Sequence, residues 1–291
     1  MEDYLVRGMT GNGTLRGLAC ITTDLVNVAC RKHDTYPTAA IALGRALTGG
    51  ALMGALLKDE QRVALKFEGN GPLKKILVEA DSRGTVRGYV GVPHVDVPLK
   101  NGTFDVAGVI GHAGFLTVTK DLQLKEPYKG VVQLRTSEIA QDLAYYLTES
   151  EQIPSAIGLG AFIEASGDMT VSGGFLIQTI PPGDEELVES VIRHIQDMPS
   201  ITELLRDNVT PEQLLELIFE GISFDIMAKQ PLSFRCSCSK TRLKRALVTL
   251  GVEELTAMAH EKKDTEVICE FCRARYTFTP RELKRLLESI Q

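Results

Sequence analysis

The chain has no Gly-x-x-x-x-Gly-Lys loop and no Gly-x-Gly-x-x-Gly run opening a helix, so the two common phosphate cradles are missing. Nothing points to ATP. Histidine is sparse: His33, His94, His112, His194 and His260 are scattered, with no His-x-Glu or His-Glu-x-x-His spacing. A catalytic metal centre of the usual kind is therefore not expected. Met1-Glu2-Asp3-Tyr4 is acidic and lacks a basic, apolar leader, so no secretory signal is visible and a cytoplasmic setting with reduced thiols is expected. Long apolar runs are nearly absent. The nearest, between Thr38 and Leu57, carries Arg45 at its middle and four glycines. A charge at mid-bilayer is costly, so this is read as a core helix whose Ala39, Ala40, Gly44, Gly50 and Gly54 allow close packing, not as a membrane span.

Composition is that of a folded globular chain, with 44% hydrophobic and 24% charged residues among 291, long enough for two domains. Charge divides it more clearly. Residues 1–178 hold 17 Lys/Arg against 19 Asp/Glu, residues 179–230 hold 3 against 11, and residues 231–291 hold 12 against 8. Three regions with balances of −2, −8 and +4 follow.

The first region, 1–178, reads as an α/β core domain. Short β-rich runs at Val63–Phe67, Ile76–Ala80 and Val86–Val90 are separated by Gly69-Asn-Gly-Pro72 and Asp81-Ser-Arg-Gly84, which suit hairpins. The sheet should be largely antiparallel. Further strands are expected at Phe115–Thr119, Gly130–Leu134 and Val171–Gln178, with a helix over Ser137–Leu147 capped by Ser137. The fold class is α+β: this mixed domain, then a helical linker, then a small metal-binding domain.

Pro181-Pro182-Gly183 opens the acidic region, 179–230. Three short helices carry explicit start signals there: Asp184, the capping box Ser200-Ile-Thr-Glu203, and Thr210-Pro-Glu-Gln213 with proline in the first helical position. Their apolar residues, Leu187, Val191, Ile195, Leu204, Leu205, Leu214, Leu215 and Ile218, form narrow stripes. Helices this short must dock on a neighbour. Docking on the sheet and on the basic region, or permanent membership of the core, fit the pattern equally.

Four of the six cysteines fall in the last region, 231–291, as Cys236-Ser-Cys238 and Cys269-Glu-Phe-Cys272. Two close pairs supply four thiolates to one tetrahedral ion with little chain strain, so one Zn²⁺ per chain is expected, with disulfides as the alternative fate of the same sulfurs. A region this small supplies only a modest core, so metal should be its main stabiliser. Helices are expected over Ser239–Leu250 and Val252–His260, and Thr279-Pro-Arg-Glu282 should launch a third. Four thiolates on Zn²⁺ leave a net negative site, which Arg235, Lys240, Arg242, Arg273 and Arg275 are placed to offset. Cys20 and Cys30 lie in apolar surroundings and read as buried, inert thiols.

Basic zinc modules also bind nucleic acid, and Tyr276 and Phe278 could stack on bases, so a zinc-ribbon-like nucleic-acid-binding protein with a purely structural metal is the alternative. The net charge of −6 weighs against it. A zinc hydrolase or deaminase fits less well, because an all-thiolate set leaves no open coordination position.

Along nearly its whole length the chain resembles the heat-shock protein 33 family of redox-regulated chaperones. The likeness rests on Tyr36-Pro-Thr-Ala-Ala-Ile-Ala-Leu-Gly-Arg45, Phe67-Glu-Gly-Asn-Gly-Pro-Leu73, Val86-Arg-Gly-Tyr-Val90, Ser150-Glu-Gln-Ile-Pro-Ser155, Ser172-Gly-Gly-Phe-Leu-Ile-Gln178 and the terminal cysteine pairs. The resemblance implies a non-enzymatic, ATP-independent holdase for unfolding proteins, with zinc on Cys236, Cys238, Cys269 and Cys272 at rest. It further implies disulfides Cys236–Cys238 and Cys269–Cys272 on oxidation, zinc release, and a homodimer when active. A disulfide across Cys-x-Cys closes a very small ring, which suits a bond that is reduced again. The eight apolar residues of the acidic helices are then the candidates for client binding, exposed as the metal-binding domain unfolds and kept soluble by the surrounding charge. No membrane partner is expected.

Overall fold

The computed structural model describes residues 2–95, 97–164, 167–261 and 263–288. Two compact units divide the chain, 1–235 and 236–291.

The larger unit is built on two sheets with one helix between them. It opens with strands β1 (Tyr4–Thr10) and β2 (Leu15–Ile21), then helices α1 (Thr23–His33) and α2 (Pro37–Gly54). A meander of β3 (Arg62–Gly69), β4 (Lys75–Asp81) and β5 (Thr85–Val90) follows, then α3 (Val106–Ile110), β6 (Gly114–Asp121) and β7 (Tyr128–Gln133). Next come α4 (Ile139–Ser150), β8 (Ser155–Ile163) and β9 (Met169–Thr179), helices α5 (Glu185–Asp197), α6 (Ile201–Arg206) and α7 (Pro211–Ile218), and strands β10 (Phe224–Pro231) and β11 (Ser233–Phe234).

Sheet one runs in the order β10-β1-β2-β9-β8 and is antiparallel throughout. Sheet two runs β11-β5-β4-β3-β6-β7 and is antiparallel except for the short parallel pair β11–β5. Both expected hairpins lie in sheet two, and of the expected strands only the one at Val171–Gln178 belongs to sheet one.

Helix α2 packs on β4 and β5 of sheet two and on β8 and β9 of sheet one. Every residue of it except Pro37 and Arg45 is buried. Its small residues make this possible: a Cβ on Gly50 would stand 2.5 Å from Val78 Cγ1, and one on Gly49 would stand 2.6 Å from Leu143 Cδ1. Arg45, the residue that argued against a membrane span, reaches Glu138 Oε2 at 2.9 Å. Among the described residues no helix is long and apolar enough to cross a membrane.

The two sheets are covered differently. β3 and β4 alternate buried and exposed residues, so sheet two buries one face. β2 and β9 are buried almost continuously, because sheet one carries α1 and α2 on one face and α5–α7 on the other. Such strands lose the period-two pattern. Asp3 ties the N-terminal end of this sheet to α1. Its carboxylate accepts hydrogen bonds from Asp24 N at 3.1 Å and Leu25 N at 2.6 Å, serving as the cap that Thr22 does not provide. Burial pushes the Asp3 carboxyl up to about 6, against the pull of those two amides.

Ser137 does not cap α4 as expected. It holds φ 61°, donates Oγ–H to Gly111 O at 2.6 Å, and leaves Glu138 in the capping position. The other start signals stand. Asp184 accepts from Leu187 N, and Ser200–Glu203 and Thr210–Gln213 each form a reciprocal capping box.

The smaller unit contains α8 (Lys240–Val248), α9 (Val252–His260), a hairpin of β12 (Thr265–Ile268) and β13 (Arg275–Phe278), and α10 (Pro280–Glu288). Ser239 caps α8, Gly251 at φ 95° separates α8 from α9, and Thr279 and Glu282 cap α10 reciprocally. Its core is Leu247, Leu255, Ala259, Phe278 and Leu283.

Candidate metal centre

Each cysteine pair is presented by a different local device. Cys236 and Cys238 lie in the irregular stretch just ahead of α8, whose cap Ser239 follows immediately. Arg242, one turn into α8, reaches back and donates to Ser237 O at 3.0 Å and to Ser237 Oγ, pinning the residue between the two sulfurs. Cys269 and Cys272 form the knuckle of the β12–β13 hairpin. Cys269 N donates to Ala274 O at 2.9 Å and Arg273 N donates to Cys269 O at 2.8 Å, with Arg273 at φ 59° turning the chain. Hairpin pairing thus fixes the second pair, and a helix start fixes the first.

The four sulfurs converge. Cys236 Sγ lies 3.8 Å from Cys269 Sγ, Cys238 Sγ lies 3.3 Å from Cys272 Sγ, and all four lie within 4.8 Å of one another. A tetrahedral ion with metal–sulfur bonds of about 2.3 Å requires sulfur separations of roughly 3.8 Å. The donor set and its spacing therefore fit one closed metal site, and all six cysteines of the chain are free thiols in this state.

Tyr276, on β13, adds a partner the sequence reading had offered to nucleic acid. Its hydroxyl stands 3.1 Å from Cys238 Sγ. Burial raises the Cys238 thiol, but hydrogen bonds from Tyr276 and from the neighbouring thiols outweigh it and bring it down to about 7. The same contact holds the Tyr276 phenol up at about 12. Burial pushes Cys272 up to about 12 and raises Cys269 as well. A cation held by these four residues would supply the charge that ionises all four sulfurs. The signal for Tyr276 was its place on a strand four residues beyond Cys272, legible only once that strand is known to fold back on the first pair.

The basic residues expected to offset the thiolates are mostly engaged elsewhere. Lys240 pairs with Glu282 at 2.7 Å, Arg275 with Glu266 at 3.3 Å, and Arg242 with Ser237. That leaves Arg235 and Arg273 of the five, so a metal ion held here would take up most of the sulfur charge itself. Phe278 is 1% exposed within the small core, so it cannot stack on a base, and Tyr276 is occupied by Cys238. The nucleic-acid alternative loses one of its two aromatic platforms.

Cys20 and Cys30 belong to the other unit. Cys20 is fully buried in its main core and burial raises its thiol far above the ordinary range; burial likewise raises Cys30, to about 11. Burial disfavours the thiolate at both; Cys20 is buried as expected, whereas Cys30 is only half-buried.

The apolar stripe residues of the acidic helices also lie in the larger unit, gathered into one cluster. Val191, Leu204, Leu205, Leu214, Leu215 and Ile218 are buried, with Leu187 and Ile195 half-buried beside them, against Val6, Leu15, Ala19, Ile21, Phe175 and Ile177 of sheet one. Their dock is the outer face of sheet one.

Comparison with known proteins agrees with this architecture. The sequence pattern of the family described as Hsp33 protein matches residues 3–279. The 33 kDa chaperonin of Geobacter sulfurreducens is 58% identical over 290 residues, covering 100% of this chain and 96% of its own. That of Clostridium beijerinckii is 42% identical and covers 99% of each. The crystal structure of the 33 kDa chaperonin (heat shock protein 33 homolog) from Thermotoga maritima superposes with a TM-score of 0.90 at 37% identity, covering 99% of both chains. Together with the four-cysteine cluster and the two-sheet unit, these likenesses place the chain in the Hsp33 family of chaperones, which bind unfolded client proteins and are not an enzyme family.

Proposed function

We propose that this chain is an ATP-independent holdase of the cytoplasm, restrained while Cys236, Cys238, Cys269 and Cys272 hold one Zn²⁺ and activated when those sulfurs are oxidised. The supporting observation is that four free thiols meet within 4.8 Å in a unit whose own core is five buried residues. When bound, Zn²⁺ supplies the cross-link and the positive charge that keep four thiolates together.

The chain's residues do the rest. Arg242 and the hairpin knuckle preset the sulfurs, and Tyr276 hydrogen-bonds Cys238 in its ionised form. Two equivalents of hydroperoxide, each accepting two electrons and two protons from one cysteine pair and leaving as alcohol and water, give disulfides Cys236–Cys238 and Cys269–Cys272 and remove all four donors. A core of five residues does not hold 236–291 folded alone.

Client binding then falls to α5–α7 and the surface beneath them. Leu187, Val191, Ile195, Leu204, Leu205, Leu214, Leu215 and Ile218 become available when these helices lift from sheet one, which uncovers Phe175 and Ile177 in turn. Eleven acidic residues between 179 and 230 keep the released segment in solution. The active form is a homodimer. The test is suppression of aggregation of an unfolded client without ATP, before and after peroxide, with released zinc measured alongside. Activity equal in both states would remove the switch, and none in either would remove the holdase.

A further inference from the structure

Sheet one has two edges, and they are built differently. β10 carries Asp225, Lys229 and Pro231 and pairs with β1 through an irregularity at Arg7/Gly8, the usual guards against unwanted pairing. β8 is guarded only at its far end, by a register shift between Phe162 and Ile163. Its sequence, Ser-Ala-Ile-Gly-Leu-Gly-Ala-Phe-Ile over nine residues, contains no charge and no proline.

Its exposure is also peculiar. Residues 155–159 are all half-exposed, without the alternation of a strand that has one open face. Both faces are covered, by α4 on one side and α6 on the other, so what remains open is the edge itself. The register says which groups are there. Thr179 N donates to Pro154 O, and Ser155 lies opposite Gln178, so the backbone N–H and C=O of Ser155, Ile157, Leu159 and Ala161 point away from β9. No backbone hydrogen bond takes them up among the described residues.

Beside this edge lies an apolar crevice of about 230 Å³. It is bounded by Ala156 and Ile177 of the sheet, Thr148 at the end of α4, and Val188, Ile192 and Ile195 of α5. On the crevice side β8 presents Ala156, Gly158 and Gly160, small residues opposite Ile177, Phe175 and Gly173. Of these three β8 residues only Ala156 lines the crevice; Phe175 and Ile201 fill the space over Gly158, and Ile201 and Thr202 close over Gly160 while α6 is docked.

We propose that the β8 edge takes an extended, uncharged segment of an unfolded polypeptide as an added strand, with every second side chain on the face of sheet one that α5–α7 cover at rest and vacate on activation. Main-chain hydrogen bonds to residues 155–159 supply affinity that is independent of client sequence, and the neighbouring apolar face, with Phe175 and Ile177, favours apolar residues at alternate positions. A second copy of this chain is a poorer occupant. Antiparallel β8–β8 pairing brings Ala156, Gly158 and Gly160 to that face with one large side chain, Phe162, which already packs 4.4 Å from the Arg206 guanidinium, while β7 and β10, the other long edges, bring Lys129, Asp225 and Lys229 to a neutral strand. This inference rests on the chaperone reading above and names the mode by which clients are held.

The probe is a short fluorescein-labelled peptide alternating valine and threonine, added to the peroxide-treated full chain. Its twin is N-methylated at every second residue, which removes one row of donors. The unmodified peptide should bind and slow amide exchange at Ile157 and Leu159 by about tenfold or more, while the N-methylated twin loses at least about tenfold in affinity. Ala156→Lys, which places a charge at the crevice mouth, should weaken binding by about tenfold, and Met227→Lys on the guarded β10 edge should not. Unchanged exchange in α2 verifies that each variant is folded, and Ile157→Pro, which deletes one outward N–H, repeats the test should Ala156→Lys fail that check.

Equal binding of both peptides, or client capture with unchanged exchange at 157 and 159, would overturn strand addition and leave the chaperone reading intact. Slowing of those amides with rising protein concentration and no peptide would assign the edge to a second copy instead. Failure to suppress client aggregation in either redox state would strike the chaperone reading itself, and is measured separately.

Discussion

The two units of this chain are held together by different means. In residues 1–235 a helix with sixteen buried residues is sandwiched between two sheets, and the main core runs continuously from Leu5 to Leu232. In residues 236–291 five buried residues surround nothing larger than Phe278, and the feature that binds the far ends of the unit is the meeting of four sulfurs. Hydrophobic burial is spread over many contacts and fails gradually; a cross-link through one point fails all at once. The contrast is one of stability that accumulates against stability that can be withdrawn.

The strongest way to break that contrast is to remove the metal. Chelation at neutral pH should abolish amide protection across α8–α10 and the β12–β13 hairpin, since structural zinc contributes an apparent ~10–16 kcal/mol in small zinc domains, while α2 and β4 remain protected. Persisting protection in α8–α10 would mean that the five-residue core suffices. The converse experiment attacks the larger unit. Leu47→Ala, at a fully buried position of α2, should cost about 2–5 kcal/mol in chemical unfolding of that unit and leave metal affinity unchanged. Loss of metal binding in this variant would show that the units are not independently stabilised.

Asp3 sharpens the comparison from within the larger unit. Its carboxyl is raised from 3.8 to about 6 by burial, so the fold favours the protonated form. The resulting stabilisation is fully present below pH 3.8 and is lost as pH rises through 6, amounting to at most ~3 kcal/mol. Between pH 7 and pH 5 this contribution should therefore grow, against the usual trend for paired carboxylates, and Asp3→Asn should flatten that part of the profile. A profile identical in the variant would exclude Asp3. The smallest effect is expected from Tyr276→Phe. Losing one hydrogen bond to Cys238 should weaken metal binding by about tenfold in a competition titration without changing the fold of 1–235. An unchanged affinity would reduce the tyrosine to packing.

How much of this was legible in the sequence follows from the same division. The cysteine spacing was enough for the metal centre, because two close pairs have few other uses, and the hairpins β3–β5 were visible because sheet two keeps one open face and a clean alternation. Strands β1, β2, β8 and β10 gave no comparable pattern. β2 is covered on both faces and reads as a plain apolar run, β8 alternates glycine with apolar residues, and β10 returns from the acidic region to pair with β1, a contact separated by more than two hundred residues. Ser137 misled because serine near a helix start resembles a cap, whereas here its hydroxyl is spent on Gly111 across the unit. At the metal centre Tyr276 was visible but its role was not, since the role depends on a fold-back that spacing does not encode.

The capping boxes at Ser200–Glu203 and Thr210–Gln213 have a kinetic consequence. Starting a helix is the slow, improbable step, and extending it is easy. Both boxes are made from residues within a single turn and use no atom of the sheet, so their instructions travel with the segment wherever it goes. A segment that has left sheet one still carries the marks from which α6 and α7 restart in the same register. Under the proposed mechanism departure and return would retrace one path, and the layer would act as a reusable latch with its reset position written into its own first turns.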